Sequence, residues 1–196
     1  MMNITALDGY AMNPGDLSWS PIETFGTLTV YDRTAKIDIV SRSIDADIII
    51  TNKVKLNKEI LSQLQKLKFV IISATGYDNV DVEACKELGI SVSNIAGYSS
   101  ESVNQHVFSV LLSHLSQAAK YEQDVAKGRW SACKDFTFFD HPIPALNQKK
   151  IGIIGLGNIG QKVLNVFLAF GCEVYSWDRS SNRLDTVRYL SWDELQ

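Results

Sequence analysis

Residues 149–178 read KKIGIIGLGNIGQKVLNVFLAFGCEVYSWD and decide the fold of the chain around them. Ile151–Ile154 is a short apolar run of the kind that forms a buried parallel strand. Residues 161–170 then place apolar side chains at helical spacing. Val174–Trp177 is a second apolar run, and it ends at Asp178. The stretch therefore predicts a strand–helix–strand unit with parallel strands.

Three glycines with G-x-G-x-x-G spacing, Gly155, Gly157 and Gly160, lie between the first strand and the helix. In a dinucleotide-binding unit the first permits a tight turn, the second lets the backbone approach a pyrophosphate, and the third lets helix and strand pack closely. The helix N-terminus offers free N–H groups and a partial positive charge to the phosphates. The glycine spacing alone is weak evidence, but here it occurs inside a complete unit. We therefore predict a dinucleotide site; the alternative is a glycine-rich turn that binds nothing.

Asp178 lies 23 residues after Gly155, close to the spacing of about 20 expected for the acid that binds the adenosine ribose. A carboxylate accepts hydrogen bonds from a 2′-hydroxyl and repels a 2′-phosphate, so it favours NAD over NADP. Arg179, the next residue, could weaken that preference because it attracts a 2′-phosphate. NAD is therefore the predicted cofactor, and NADP is the less favoured alternative.

The composition is that of an ordinary globular chain of one large or two small domains, with 196 residues, 45% hydrophobic and 21% charged. A net charge of −3 gives no basic footprint for nucleic acid. The apolar runs are short and the N-terminus lacks a signal-peptide pattern, so we expect no membrane span and a cytoplasmic location.

The sequence has three widely spaced cysteines, Cys85, Cys133 and Cys172, and this odd number indicates free thiols. We expect no metal site, because no residues show metal-ligand spacing.

Before the glycine unit, short apolar runs alternate with helical patterns, which is typical of a parallel, doubly wound sheet. The predicted strands are 4–7, 28–31, 48–51, 69–73 and 90–92, the predicted helices are 57–67 and 80–88, and 8–21 is mostly loop.

A long helix is predicted from Ser99 or Ser100 to Gly128. It has too many apolar residues for one narrow stripe, so we expect it to be buried on more than one side, between two domains or in a dimer. Residues 129–148 are predicted to be an arm that joins the two domains.

Two loops at the carboxyl edge of the predicted sheet are candidates for substrate binding. Thr75, Gly76 and Tyr77 follow the fourth strand; Gly76 frees backbone N–H groups to face a carboxylate, and Thr75 adds a hydroxyl. Asn52 and Lys53 follow the third strand, where Lys53 could attract an acid. From these residues alone, ordinary strand-to-helix turns are an equally good interpretation.

Motifs along the whole chain resemble the D-isomer-specific 2-hydroxyacid dehydrogenases, and within them the glycerate dehydrogenase (hydroxypyruvate reductase) branch. The matching segments are LDGYAMNPGDLSW at 7–19, LTVYDRT at 28–34, TNKV at 51–54, ATGYDNVD at 74–81, GYSSESVNQHVFSVLL at 97–112 and IGIIGLGNIG at 151–160. The resemblance implies a homodimer that transfers hydride between NAD(H) and a 2-oxo or 2-hydroxy acid.

The resemblance also implies how the chain is divided. Residues 1–100 are expected to form a flavodoxin-like substrate-binding domain, 101–148 an interdomain or dimerisation helix and arm, and 149–196 the first part of a Rossmann NAD-binding domain.

The same resemblance assigns the binding residues. The backbone at 75–77 binds the substrate carboxylate, Ser102 and Gln105 approach the nicotinamide or its phosphate, and Asn158 and Ile159 cover the pyrophosphate.

The family's catalytic arginine, glutamate and histidine, which polarise the keto acid and supply its proton, have no matching motif in this sequence. We expect them beyond Gln196, so we expect no catalytic residue among these 196 and no hydride transfer by this chain alone. Ser191 and Glu194 have the S-x-x-E form of a capping box, which predicts a helix start close to the end of the sequence. The second sheet would have two strands, or three if residues 187–190 form a strand, and would therefore keep an open edge.

Two alternatives stay open. The chain could be a non-catalytic NAD-binding or dimerisation fragment, a pseudoenzyme or a corepressor-like relative, since fold does not fix function. It could also serve another acid, such as D-lactate or phosphoglycerate. A phosphorylated acid would need extra cations near the candidate carboxylate loop. Only Lys53 and Lys55 are obvious candidates there, which favours a small unphosphorylated acid.

Overall fold

The computed structural model describes residues 1–179 and 184–195, and Gln196 lies outside them. The chain divides into two compact units, Met1–Tyr98 and Ser99–Gln196. Within the described residues, no helix is long and apolar enough to cross a membrane. The same residues contain no group of three or more histidine, cysteine or acidic side chains that could hold a metal ion.

The first unit is built on a five-stranded parallel sheet. Its strands are β1 (Met2–Ala6), β2 (Gly26–Val30), β3 (Ile48–Thr51), β4 (Phe69–Ile72) and β5 (Ser91–Asn94), in the order β2-β1-β3-β4-β5. This is the flavodoxin-like order, so the predicted α/β class with a doubly wound sheet is confirmed. The strand order reverses at β1 and β3, and ligands of such sheets bind beyond the carboxyl ends of strands at this point.

Both faces of this sheet are covered. Ile49 and Val70 pack on one face, against the cluster that contains Leu61, and Ile4 and Ile50 pack on the other. Successive residues of a strand point to opposite faces, so neighbouring apolar residues enter different cores. This explains why the strands read as continuous apolar runs.

The helices of the first unit are short. They are α1 (Gly9–Met12), α2 (Ser20–Glu23), α3 (Ile39–Ser43, after a 3₁₀ turn at Lys36–Asp38), α4 (Lys58–Leu61) and α5 (Val82–Glu87). The predicted helix at 57–67 is therefore too long, although Asn57 caps α4 by accepting from the Ile60 N–H at 3.1 Å. Leu64 and Leu67 are buried by successive turns with bonds three residues back, and this spacing resembles that of a helix.

The second unit contains the predicted strand–helix–strand. Its parallel strands β6 (Lys150–Ile154), β7 (Glu173–Trp177) and β8 (Arg188–Tyr189) lie in that order, with α8 (Asn158–Ala169) between β6 and β7. After β8, Ser191 and Glu194 form the predicted capping box. The Ser191 N–H donates to Glu194 Oε2 at 2.9 Å and the Glu194 N–H donates to Ser191 Oγ at 3.3 Å, at the start of α9 (Trp192–Leu195). The Ser191 N–H and the Ser191 hydroxyl both donate to the Glu194 carboxylate, and these two bonds lower the pKa of Glu194.

The long helix that was predicted to end at Gly128 is in fact two helices, so that prediction is wrong. α6 (Ser100–Ser116) and α7 (Ala118–Ala126) are separated by Gln117, which has a left-handed φ of 50°. Within the second unit α6 is covered on the side that faces α8, where the ring centroids of Phe108 and Phe167 are 4.8 Å apart. Val110 is 56% exposed on α6, so burial of a second side stays a prediction.

The arm at 129–148 is held by polar contacts within itself and with α7. Arg129 makes two bonds to the Asp140 carboxylate, at 2.6 and 2.9 Å, and this guanidinium lowers the pKa of Asp140. His141 Nε2 lies 2.8 Å from Asp124 Oδ2, and the Tyr121 hydroxyl donates to the His141 carbonyl at 2.6 Å. The segment that looked aperiodic in sequence is therefore ordered by side chains rather than by secondary structure.

The three cysteines are free thiols, as predicted. Cys85 and Cys172 are buried, and burial raises the pKa of both thiols. Because a thiol is nucleophilic only as the thiolate, neither is suited to catalysis.

Candidate functional site

The glycine loop of the second unit shows two of the three roles that were expected of it. Gly155 has a φ of +86°, a left-handed conformation that favours glycine. A Cβ on Gly160 would lie 2.1 Å from the Gly155 carbonyl oxygen, so helix and loop approach too closely for a side chain. A Cβ on Gly157 would meet nothing within 4 Å, which leaves open space in front of the loop.

The N-terminus of α8 is available to an anion. Gly157 is the N-cap residue and has no side chain that could bond the first N–H groups of the helix. Those N–H groups, at Asn158, Ile159 and Gly160, have no partner inside the helix, because the first intrahelical partner would precede its start. Asn158 and Ile159 are exposed. The predicted pyrophosphate residues therefore form one exposed turn at the start of α8, where a helix binds anions through its free N–H groups.

The Asp178 side chain lies beside the glycine loop. It follows β7, and its carboxylate accepts a hydrogen bond from the backbone N–H of Leu156, between the first two glycines. Arg179 is exposed and follows directly. The bond to Leu156 was not foreseen from the sequence, which assigned Asp178 only to the ribose. The carboxylate thus lies beside the glycine loop, where a ribose-binding acid is needed.

Ser102 and Gln105 lie near the start of α6 and are exposed. Glu101 in the same turn forms an ion pair with Lys162 on α8, within the same unit. Lys162 was not singled out from the sequence, since its partner is far away along the chain. The pair holds the beginning of α6 beside the helix that carries the glycine loop.

In the first unit, a buried carboxylate that sequence reasoning missed organises the loop after β3. Asp8 is 8% exposed and accepts from the Thr51 hydroxyl at 2.9 Å, the Asn52 N–H at 2.9 Å and the Lys53 N–H at 2.7 Å. The backbone of Lys53 is therefore fixed while its side chain stays exposed. The signal for Asp8 in the sequence was a charged residue directly after a predicted buried strand.

Asn52 connects the two candidate loops. Its side-chain amide donates to the Ser73 carbonyl at 2.9 Å and lies 3.3 Å from the Ser73 hydroxyl, at the end of β4. Since the amide N–H groups are used in this way, Asn52 acts here as a brace for the edge of the sheet. The structure therefore brings the loops after β3 and β4 together, as expected from their place in the sheet.

The loop at 75–77 is exposed and is held at its first residue. The Thr75 hydroxyl donates to the Ile95 carbonyl at 3.1 Å, and the Asn94 amide donates to the Thr75 carbonyl at 2.7 Å. A Cβ on Gly76 would make only an ordinary contact, 3.5 Å from Asp78 Oδ1. The fold itself therefore has no steric need for glycine at position 76. All the predicted substrate residues lie in the first unit and all the predicted cofactor residues in the second.

Comparison with known proteins agrees with this arrangement. The family model of the D-isomer specific 2-hydroxyacid dehydrogenase catalytic domain matches residues 12–182. A hydroxypyruvate reductase of Blautia hydrogenotrophica is 40% identical over 99% of this chain and 62% of its own length. A glycerate dehydrogenase of Methylorubrum extorquens is 36% identical over 72% of this chain and 45% of its own length.

Among solved structures, an acyclic imino acid reductase in complex with NADPH and D-Arg superposes with a TM-score of 0.79 at 28% identity, covering 99% of this chain and 62% of that one. The chain thus spans about three fifths of the hydroxypyruvate reductase and of this structure. The match to the family model over most of the sequence, together with the fold, shows that the chain belongs to the D-isomer-specific 2-hydroxyacid dehydrogenase family.

Proposed function

We propose that this chain carries the substrate-carboxylate loop and the dinucleotide loop of an NAD-dependent enzyme that reduces a small 2-oxo acid, hydroxypyruvate, to the D-2-hydroxy acid glycerate. The observation that carries the proposal is the position of the Asp178 carboxylate, bonded to the glycine loop beside the open N-terminus of α8. The similarity to a hydroxypyruvate reductase and a glycerate dehydrogenase supports the choice of acid.

The residues of the second unit fit a nicotinamide dinucleotide. The N–H groups at the start of α8 bind the pyrophosphate, and the space in front of Gly157 admits it. Asp178 accepts from the ribose hydroxyls, and Ser102 and Gln105 on α6 approach the nicotinamide end. When bound, the cofactor supplies or accepts the hydride.

The residues of the first unit bind the acid. The exposed backbone at 75–77 donates N–H groups to the substrate carboxylate, and the Lys53 ammonium attracts the anion to the edge of the sheet. Asn52 and Asp8 hold the loop after β3 in place through the bonds described above. These residues bind and orient the acid, and none of them is placed as a proton donor.

The first experiment is a fluorescence titration of the purified 196-residue chain with NADH. We expect saturable binding, and we expect no oxidation of NADH when hydroxypyruvate is added. Absence of NADH binding by the folded chain would contradict the proposed function. Rapid hydroxypyruvate-dependent oxidation would contradict the expected inactivity of this chain alone, and would show that the family's arginine, glutamate and histidine are not needed.

Substitution of Asp178 tests the cofactor preference. Asp178→Ala removes the acceptor for the ribose and for the Leu156 N–H, so we expect NADH to bind about tenfold more weakly. Asp178→Asn keeps an acceptor oxygen and the side-chain volume but removes the negative charge, so NADPH binding should improve relative to NADH. Both dinucleotides are titrated against all three proteins. An identical NADH-to-NADPH affinity ratio in all three would contradict the assignment of Asp178.

A homodimer is proposed as the assembly, with α6 and the arm in the interface. Apolar side chains exposed on these two segments support a second copy as the partner; they are Val103, Val110, Leu112, Trp130, Phe136, Phe139 and Ile143. Val110→Glu places a charge on this surface, so the dissociation constant of the dimer should rise at least tenfold. The measurement is light scattering after size exclusion over a range of concentrations. Val82→Glu, an equivalent change of an exposed valine in the first unit, is the control, and equal effects of the two would contradict the proposed interface.

A further inference from the structure

A pocket of about 320 Å³ opens in the first unit between the segment after β2 and the segment after β3. Buried Ile39 and Ile60 supply its apolar part, and exposed Lys36 and Lys55 supply its charge. The volume is at the lower end of the range of about 300–1,000 Å³ for small-molecule sites. None of its lining residues belongs to the set proposed above for the substrate carboxylate or the cofactor.

The charge of this pocket is unbalanced. Lys36 and Lys55 form no ion pair within the described residues, and no residue that lines the pocket is acidic. Other lysines of the same unit, Lys58 and Lys66, are each bonded to a carboxylate. The acid nearest to Lys36 in sequence, Asp38, lies 3.8 Å from Arg42 and forms an ion pair with it. Two unmatched ammonium groups in a chain of net charge −3 favour a ligand with two negative charges.

The segment after β2 forms one wall of the pocket, and several contacts hold it in place. Arg42 Nη1 donates to the Arg33 carbonyl at 2.7 Å and to the Thr34 hydroxyl at 3.0 Å. The Thr34 hydroxyl donates to the Leu7 carbonyl at 2.6 Å, which ties this wall to the end of β1. The guanidinium of Arg42 also stacks over the Tyr31 ring, 4.3 Å from its centroid. These contacts fix the backbone that carries Lys36.

The segment after β3 forms the opposite wall, and hydrogen bonds hold it as well. The Asn79 amide donates to the Val54 carbonyl at 3.1 Å, and the Leu56 N–H donates to the Asn79 carbonyl at 2.8 Å. Asn57 accepts from the Ile60 N–H at the start of α4. Since both walls are held by bonds within the unit, little backbone entropy is lost when a ligand binds.

We propose that this pocket binds a short organic dianion, a dicarboxylate or a phosphate ester, with its anionic groups on Lys36 and Lys55 and its carbon chain on Ile39 and Ile60. The two ammonium groups select a doubly charged ligand over a singly charged one of similar length. The apolar part selects a ligand with carbon atoms over inorganic phosphate.

The test is an NMR titration of the ¹⁵N-labelled 196-residue chain with succinate and, separately, with glycerol 3-phosphate. Saturable shifts of the amides at 34–39 and 54–60 are expected with at least one of them, and the comparison distinguishes the two sources of negative charge. Butyrate and inorganic phosphate, which lack one charge or the carbon chain, should bind at least about fivefold more weakly.

Matched variants decide whether the lysines carry the binding. Lys36→Gln and Lys55→Gln should each weaken binding about fivefold, whereas Lys55→Arg should retain it. Lys86→Gln, which removes an exposed lysine away from the pocket, should leave binding unchanged. Shifts that do not saturate, shifts spread over the surface, or equal losses with Lys86→Gln would overturn the proposal. NADH binding is measured in the same samples, so failure of this site is distinguished from failure of the proposed function.

Discussion

Gly160→Ala is expected to lower the free energy of unfolding of the second unit by about 1–3 kcal/mol and to weaken NADH binding at least tenfold. The new Cβ would lie 2.1 Å from the Gly155 carbonyl oxygen, which is backbone and cannot rotate away. Either α8 or the glycine loop must therefore move. Helix propensity alone predicts the opposite sign, because alanine in a helix is favoured over glycine by about 1 kcal/mol.

Gly157→Ala is the matched control for this experiment. Gly157 has a φ of −70°, and a Cβ there would meet nothing within 4 Å, so stability should change by less than about 0.5 kcal/mol. Binding should still weaken, since the methyl group occupies the approach of the pyrophosphate. Thermal unfolding by circular dichroism and NADH fluorescence separate the two effects. A Gly160→Ala protein as stable as its parent would show that the close approach does not constrain the loop.

The two strands of the strand–helix–strand unit could be predicted to within one residue because their signals are local, whereas the helix begins at Asn158, three residues before the predicted start at Gln161. Ile151–Ile154 and Val174–Trp177 are continuous apolar runs, and the glycines mark the turn between strand and helix. The break at Gln117 has no such signal, since neither glycine nor proline stands there. A left-handed residue that is not glycine costs about 1–3 kcal/mol and persists only where tertiary packing compensates for it, which the sequence of α6 and α7 does not reveal.

The candidate dinucleotide loop was accessible to sequence reasoning because its residues lie together at 155–160, although Asp178 and, on α6, Ser102 and Gln105 are distant in sequence. The organisation of the loop after β3 was not, because it depends on strand order and register. Ala6 pairs with Ile50 in the parallel ladder, so two residues further along Asp8 reaches Asn52. The partners are 43 to 45 residues apart in sequence, and no local pattern indicates that β1 and β3 are neighbours.

Asp8→Ala should be the most damaging single substitution of a polar residue in the first unit, with a loss of about 3–5 kcal/mol in the free energy of unfolding. The variant leaves three donors without an acceptor: the Thr51 hydroxyl, which is fully buried, and the N–H groups of Asn52 and Lys53. An unsatisfied buried donor costs about 1–3 kcal/mol, and the two part-buried N–H groups add smaller costs. Urea unfolding followed by circular dichroism measures the loss.

Two further variants decide whether the bonds of Asp8 or merely its volume are responsible. Asp8→Asn keeps the volume and one acceptor oxygen but turns an N–H₂ group towards the donors, so its loss should be smaller than that of alanine and still above about 1 kcal/mol. Asp32→Ala, an exposed aspartate just after β2, should change stability by less than about 0.5 kcal/mol.

A double-mutant cycle with Thr51→Val gives the sharper test of the Asp8 network. If the Asp8 carboxylate is the partner of the Thr51 hydroxyl, Thr51→Val should cost clearly less in the Asp8→Ala background than in the parent, since one of the stranded donors is then removed. Strictly additive losses would mean that the two side chains act independently and that the stability of this edge of the sheet arises elsewhere. A loss in the double variant that is smaller than the sum of the two single losses places the anchor of the loop after β3 at Asp8, a residue that accepts a hydrogen bond from the backbone of Lys53.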